Sequence, residues 1–123
     1  MARFQQMDRL LAGVDEIIRP AGIAPGHGCH LYVARLNTAQ VGFRRPDFLR
    51  HLKEVWQVAT SHHYPAVWSW EAFATVPHDK SDTPVTHRAV DEVLSLPLFP
   101  STSEEDVSYI AHAVKETIAA LRK

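Results

Sequence analysis

The stretch that most constrains this chain is its end, STSEEDVSYIAHAVKETIAALRK, residues 101 to 123. Thr102 and Ser103 offer hydroxyl groups that cap a helix N-terminus. Glu104, Glu105 and Asp106 place three acids in the first turn, where the positive end of the helix dipole favours them. Val107, Ile110, Ala111, Val114, Ile118 and Leu121 recur at helical spacing and form one apolar stripe. Arg122 and Lys123 end the segment with the sign the dipole prefers there. A helix apolar along one side must bury that side, so the upstream segments must supply a surface for it.

They are patterned to do so. Phe4, Met7, Leu10 and Leu11 share one face of a helix over residues 3 to 12. Val14, Ile17 and Ile18 either continue that face to Arg19, or Gly13 caps the helix and VDEII is a short extended stretch. Pro20 stops either version, and PAGIAPGHG reads as loop. CHLYVARLN, residues 29 to 37, reads as a strand. Leu31, Val33 and Arg35 point one way and Tyr32, Ala34 and Leu36 the other, which suits a strand covered on both sides. TAQVGFR turns the chain, and RPDFLRHLKEVW opens a helix at Pro46 and Asp47. Phe48, Leu49, Leu52, Val55 and Trp56 form its buried face. QVATSHHY, residues 57 to 64, reads as extended and ends at Pro65. A loop with one helical turn follows, then a short helix in THRAVDEVLSL and a short strand in LSLPLFP. Pro97 confines that strand to an edge or bends it. This order predicts an α+β fold in two layers, a small mixed or antiparallel sheet of about three strands packed with helices. Residues 1 to 123 suit a single domain.

The formal net charge is −1, with no basic tract, so there is no electrostatic case for nucleic acid. No apolar run is long enough to span a bilayer, so a membrane partner is not expected. MARFQQMDRL has no apolar signal core, which points to the cytoplasm. Cys29 is the only cysteine and cannot form an internal disulfide.

Eight histidines are the unusual feature of the composition. His27, Cys29 and His30, or His62 with His63, are residue types that zinc accepts. Their spacing argues against a metal site: adjacent residues in a strand point to opposite faces, and no second pair stands at zinc-finger spacing. Cys29 beside a histidine has the makings of a thiol dyad, but a lone cysteine opening an apolar strand fits a small core residue better. There is no glycine-flanked serine elbow and no glycine-rich phosphate loop. Tyr64, Trp68, Trp70 and Phe73 cluster in a loop segment. They either anchor that loop or wall a ligand pocket with histidine and tyrosine as polar handles, and composition does not choose.

Three stretches together do choose. CHLYVARLN, ATSHHYPAVWSWEAF and AVDEVLSLPLFPSTSEEDVSYIAHAVKETI, in this order, resemble the C-terminal segment of the DegT/DnrJ/StrS sugar aminotransferases. The resemblance runs from about residue 8 to 121, with LSLPLFP and its capped helix as the most specific part and HYP the second. It implies the small domain of a fold type I enzyme that uses pyridoxal phosphate (PLP) to aminate a nucleotide-linked keto sugar. By the same resemblance His63 faces the sugar and cofactor pocket and Tyr64 holds the adjacent aromatic position of the substrate site, with Trp68 and Trp70 shaping the sugar side, whereas His62 takes no role. None of Lys53, Lys80, Lys115 and Lys123 matches the family's Schiff-base lysine, so no cofactor is expected on these residues alone and no catalytic residue is assigned. The expectation is a truncated or free-standing small domain, silent in catalysis by itself. The alternatives are a split enzyme completed in trans and a binding module for a sugar nucleotide or another small ligand. A surface made for a large domain needs a partner, either a large-domain aminotransferase chain or copies of this one in a homo-oligomer.

Overall fold

The computed structural model describes residues 1–79 and 81–122, so Lys80 and Lys123 lie outside the described residues. The closing helix, here α5 (Glu104–Leu121), starts as its sequence demands. Ser103 Oγ accepts the Asp106 N–H at 3.0 Å, and the Asp106 carboxylate accepts the Ser103 N–H at 2.9 Å. This reciprocal box satisfies two backbone donors that the first turn would otherwise leave unpaired. The bond from Ser103 also holds the Asp106 carboxyl below its usual range. Thr102 uses its hydroxyl differently, accepting the Phe99 N–H at 2.8 Å.

The remaining elements are α1 (Ala2–Leu10), β1 (Ile17–Ile18), β2 (Tyr32–Leu36), α2 (Thr38–Val41), α3 (Arg45–Trp56), α4 (Pro84–Glu92) and β3 (Val93–Leu96). The strands form one antiparallel sheet in the order β1-β2-β3, with Ile17 opposite Leu36 and Tyr32 opposite Leu96. This is the expected α+β arrangement with a small antiparallel sheet. β2 alternates: Tyr32, Ala34 and Leu36 are buried, and Val33 and Arg35 are half-buried. The buried face meets Phe4, Met7 and Leu11 from the α1 segment, Phe48 and Leu52 from α3, and the α5 stripe of Val107, Ile110, Ala111, Val114 and Ile118. α4 packs against β2 from the other side, where Val33 and Arg35 point.

Several expectations are corrected. Residues 57 to 64 are not a full strand, because only Ser61 bridges to Ser95. The next ladder position falls at Pro97, which has no N–H to give. In the other direction the Val93 carbonyl already accepts Arg45 Nη1 at 2.7 Å. The third strand is instead Ile17–Ile18, the extended alternative for VDEII, and Gly13 turns the chain before it at φ +79°. β2 starts at Tyr32 rather than residue 29, since Cys29 sits at φ +47°, outside the extended region. Val55 is 59% exposed; the buried row of α3 runs Phe48, Leu52, Trp56, and Val55 falls beyond its edge. TAQV forms a turn of helix closed by Gly42 at φ +74°. Two 3-10 turns, Val67–Ser69 and Glu71–Phe73, replace the single turn expected in the aromatic loop. α4 ends at Glu92 and β3 begins at Val93, so the end of THRAVDEVLSL is strand. No helix among the described residues is long and apolar enough to cross a membrane.

Candidate functional site

An open depression of about 570 Å³ lies over the half-buried face of β2. Ile18, Arg19 and Pro20 form one rim, Val33 and Arg35 the floor, and Thr86, Ala89 and Val90 of α4 the far wall. His63 and Tyr64 close it from the segment after the Ser61 bridge. His63 Nδ1 lies 2.9 Å from Ser95 Oγ, a buried hydroxyl on β3. Its ring meets Tyr64 edge-on at 5.2 Å, and the peptide bond between the two is cis. Tyr64 is the more open of the pair, 68% exposed.

Both arginines are held by carboxylates. Arg35 Nη1 donates to Glu92 Oε2 at 3.3 Å, and the other Glu92 oxygen accepts the Thr38 hydroxyl at 3.0 Å. Glu92 is only 3% exposed, and a carboxylate buried this deeply needs such partners. Arg19 pairs with Asp8, whose other oxygen accepts the Tyr32 hydroxyl at 3.2 Å. Burial, and then the Asp8 charge, push the Tyr32 phenol far above its ordinary value. The depression therefore combines an apolar wall, two anchored guanidinium groups and one fixed imidazole. The chemistry of such a set suits an anionic ligand with hydroxyl groups: arginine forks match phosphate or carboxylate, and an imidazole meets a hydroxyl or carbonyl oxygen.

His62 serves the scaffold instead. Arg45 Nη1 donates to His62 Nε2 at 3.1 Å, to the Val90 carbonyl at 2.9 Å and to the Val93 carbonyl at 2.7 Å. Burial, and then the Arg45 charge and His63, hold His62 below its ordinary value. Burial likewise lowers Arg45.

The structure brings His63 and Tyr64 together on the depression and places Trp68 elsewhere. The Trp68 ring stacks on His78 at 4.3 Å and on His87 at 4.2 Å and is not part of this lining. His27 Nδ1 accepts the Cys29 N–H at 3.0 Å and lies 3.2 Å from Cys29 Sγ, a contact within one turn of loop. No group of three or more metal-binding side chains gathers among the described residues. Sequence reasoning passed over Arg19, Ser95, Arg45 and Glu92. Arg35 carried a signal, a charged residue on an otherwise apolar strand face. Ser95, a hydroxyl between two leucines, carried a weaker one.

PLP needs an amine to form its Schiff base. Among the described residues no lysine lines the depression; Lys53 is on α3 and Lys115 on α5. The described residues thus do not fit the attachment of PLP itself.

Comparison with known proteins places the chain in a family. Over 93 residues the chain is 29% identical to the spore coat polysaccharide biosynthesis protein SpsC of Bacillus subtilis (strain 168), covering 75% of this chain and 24% of that protein. Over 109 residues it is 27% identical to the dTDP-3-amino-3,4,6-trideoxy-alpha-D-glucose transaminase of Micromonospora megalomicea subsp. nigra, covering 82% of this chain and 29% of that one. Among solved structures, Spr1654 from Streptococcus pneumoniae in its PLP form superposes with a TM-score of 0.83 at 22% identity, over 98% of this chain and 30% of its own. The chain spans less than a third of the length of these relatives. Residues 1–115 match the family profile of the DegT/DnrJ/EryC1/StrS aminotransferases, and the chain belongs to that family.

Proposed function

We propose that these residues form the small domain of a PLP-dependent nucleotide-sugar aminotransferase and present one wall of its substrate site. The observation that carries this reading is the placement of His63: a family member's imidazole, fixed by Ser95, faces a depression that also holds Arg19 and Arg35. His63 would meet an oxygen of the sugar, Tyr64 would cover its apolar side, and the two guanidinium groups would take an anionic part of the nucleotide. PLP, when bound, supplies the electron sink that amino transfer requires. The Schiff-base lysine then comes from large-domain residues, either joined to this segment or on a partner chain. Trp68 contributes by holding the 66–79 loop beside α4.

Two measurements test this. The chain is incubated with PLP, reduced with borohydride and mapped by mass spectrometry. No site-selectively modified lysine is expected, and stoichiometric modification of one lysine overturns the reading. The chain is then combined with a large-domain polypeptide of the family and assayed for amino transfer to a nucleotide-linked keto sugar. Turnover is expected only in the mixture, and His63→Ala lowers its kcat/KM about a hundredfold, the scale of losing one positioned group. Saturable binding of a sugar nucleotide with no turnover in any mixture would favour a binding module.

A further inference from the structure

A second ring cluster stands outside that depression, between the aromatic loop and the first turn of α4. Trp68 lies nearly parallel to His78, at 8° between planes, and tilts by 33° against His87. The two imidazole centroids are 4.7 Å apart, so both rings rest on the indole side by side. Their Nε2 atoms point at each other across 2.5 Å. One ring's N–H donating to the other's lone pair satisfies this contact, and the same convergence of two nitrogens on one point is what a shared metal ion would use once both are deprotonated. Asp79 follows His78 directly, and its carboxylate is kept ionised by hydrogen bonds from Ser81, including the N–H at 2.8 Å. Negative charge therefore stands beside the pair.

We propose that His78 and His87 bind one divalent transition-metal ion of the Zn²⁺ or Ni²⁺ type, with water completing its coordination. Imidazole nitrogen suits these ions and does not suit Mg²⁺ or Ca²⁺. Tetrahedral Zn–N bonds of about 2.0–2.1 Å place two ligand nitrogens roughly 3.3 Å apart. Admitting the ion thus parts the two rings by under about 1 Å. His78 is exposed on a loop and is free of any helix or strand, so it makes that movement. The bound ion then joins the loop to α4, the helix whose Thr86, Ala89 and Val90 wall the depression. This proposal is independent of the aminotransferase reading, because it uses neither His63, Tyr64 nor the arginines of the depression; Trp68, which the resemblance set at the sugar side, here packs on the two imidazoles.

The test is calorimetric titration of tag-free chain with Zn²⁺ alone, and Ni²⁺ titration followed by tryptophan fluorescence. One Zn²⁺ per chain is expected. His78→Ala and His87→Ala each weaken binding about tenfold or more, since each removes one of two protein ligands, and His112→Ala on α5 does not. Trp68→Phe removes most of the Ni²⁺ quenching and keeps the Zn²⁺ affinity. Circular dichroism of each variant confirms that it folds. Absence of saturable binding at millimolar Zn²⁺, or binding that survives both histidine substitutions unchanged, overturns the proposal and leaves a pair that shares a proton only.

Discussion

Tyr32, Ala34 and Leu36 look into a core that the chain fills by itself, whereas Val33 and Arg35, one residue out of phase, look across a depression toward His63. On the first side apolar side chains from α1, α3 and α5 bury the strand face. On the second, polar groups are spent on holding one another: Arg35 on Glu92, His63 on Ser95, Arg45 on two carbonyls and His62. They fix directions without filling space. Exposed apolar residues gather in the same part of the sequence, with Tyr64, Val67, Trp70, Phe73, Val76 and Val85 all lying between positions 64 and 85. One side of the sheet is a closed interior and the other is an open depression lined by His63, Tyr64 and two arginines.

The contrast can be broken by substitution. Leu52→Ala opens a cavity in the closed side and is expected to cost about 2–5 kcal/mol, read as a lower urea midpoint. Val33→Ala, on the open side of β2, should cost under about 1 kcal/mol. Equal losses would mean that the open face is a core after all. Glu92→Ala removes the acceptor of both Arg35 and Thr38. Arg35 keeps a third of its side chain in solvent, so the expected cost is about 1–3 kcal/mol, less than for a fully enclosed ion pair. Ser103→Ala undoes the α5 cap for about 1 kcal/mol, and its effect should be confined to the closed side: sugar-nucleotide binding should not change.

The smallest effect is a pH dependence. His62 is held below its ordinary 6.5, so as pH falls the denatured chain takes the proton first. Stability is therefore full above pH 6.5, declines as pH drops through that value, and levels only once His62 is protonated in the folded chain as well. His62→Gln should flatten part of the slope in urea midpoints between about pH 7.5 and about pH 5.5. An unchanged slope would mean that neither burial nor Arg45 holds His62 below its ordinary value in solution.

The closed side was largely legible beforehand. The α5 stripe, the Phe4–Met7–Leu11 row and the alternation of β2 are local periodicities, and burial follows them. The site was legible only in part. His63 and Tyr64 adjoin in sequence and carry a motif, so resemblance located them. Ser95 reaches His63 from 32 positions away, and Glu92 reaches Arg35 from 57. Those separations are closed by the pairing of β2 with β3, and no local pattern announces them. His78 and His87 escaped for the same reason: the turns between Val67 and Phe73 decide where Trp68 lies, and composition cannot say that two histidines rest on it. The error over residues 57 to 64 came from treating extended character as strand pairing, when Pro97 and Arg45 limit the edge to one bridge.

The junction at Glu92 and Val93 has a mechanical consequence. Helix α4 passes into β3 without a single connecting residue, and Arg45 clasps the carbonyls of Val90 and Val93 on either side of the joint. The joint has no slack of its own, so the position of Ser95, two residues past Val93, is set by the same backbone and the same guanidinium that place the end of α4. The partner of the His63 ring is thus located by a helix end as well as by a strand pairing.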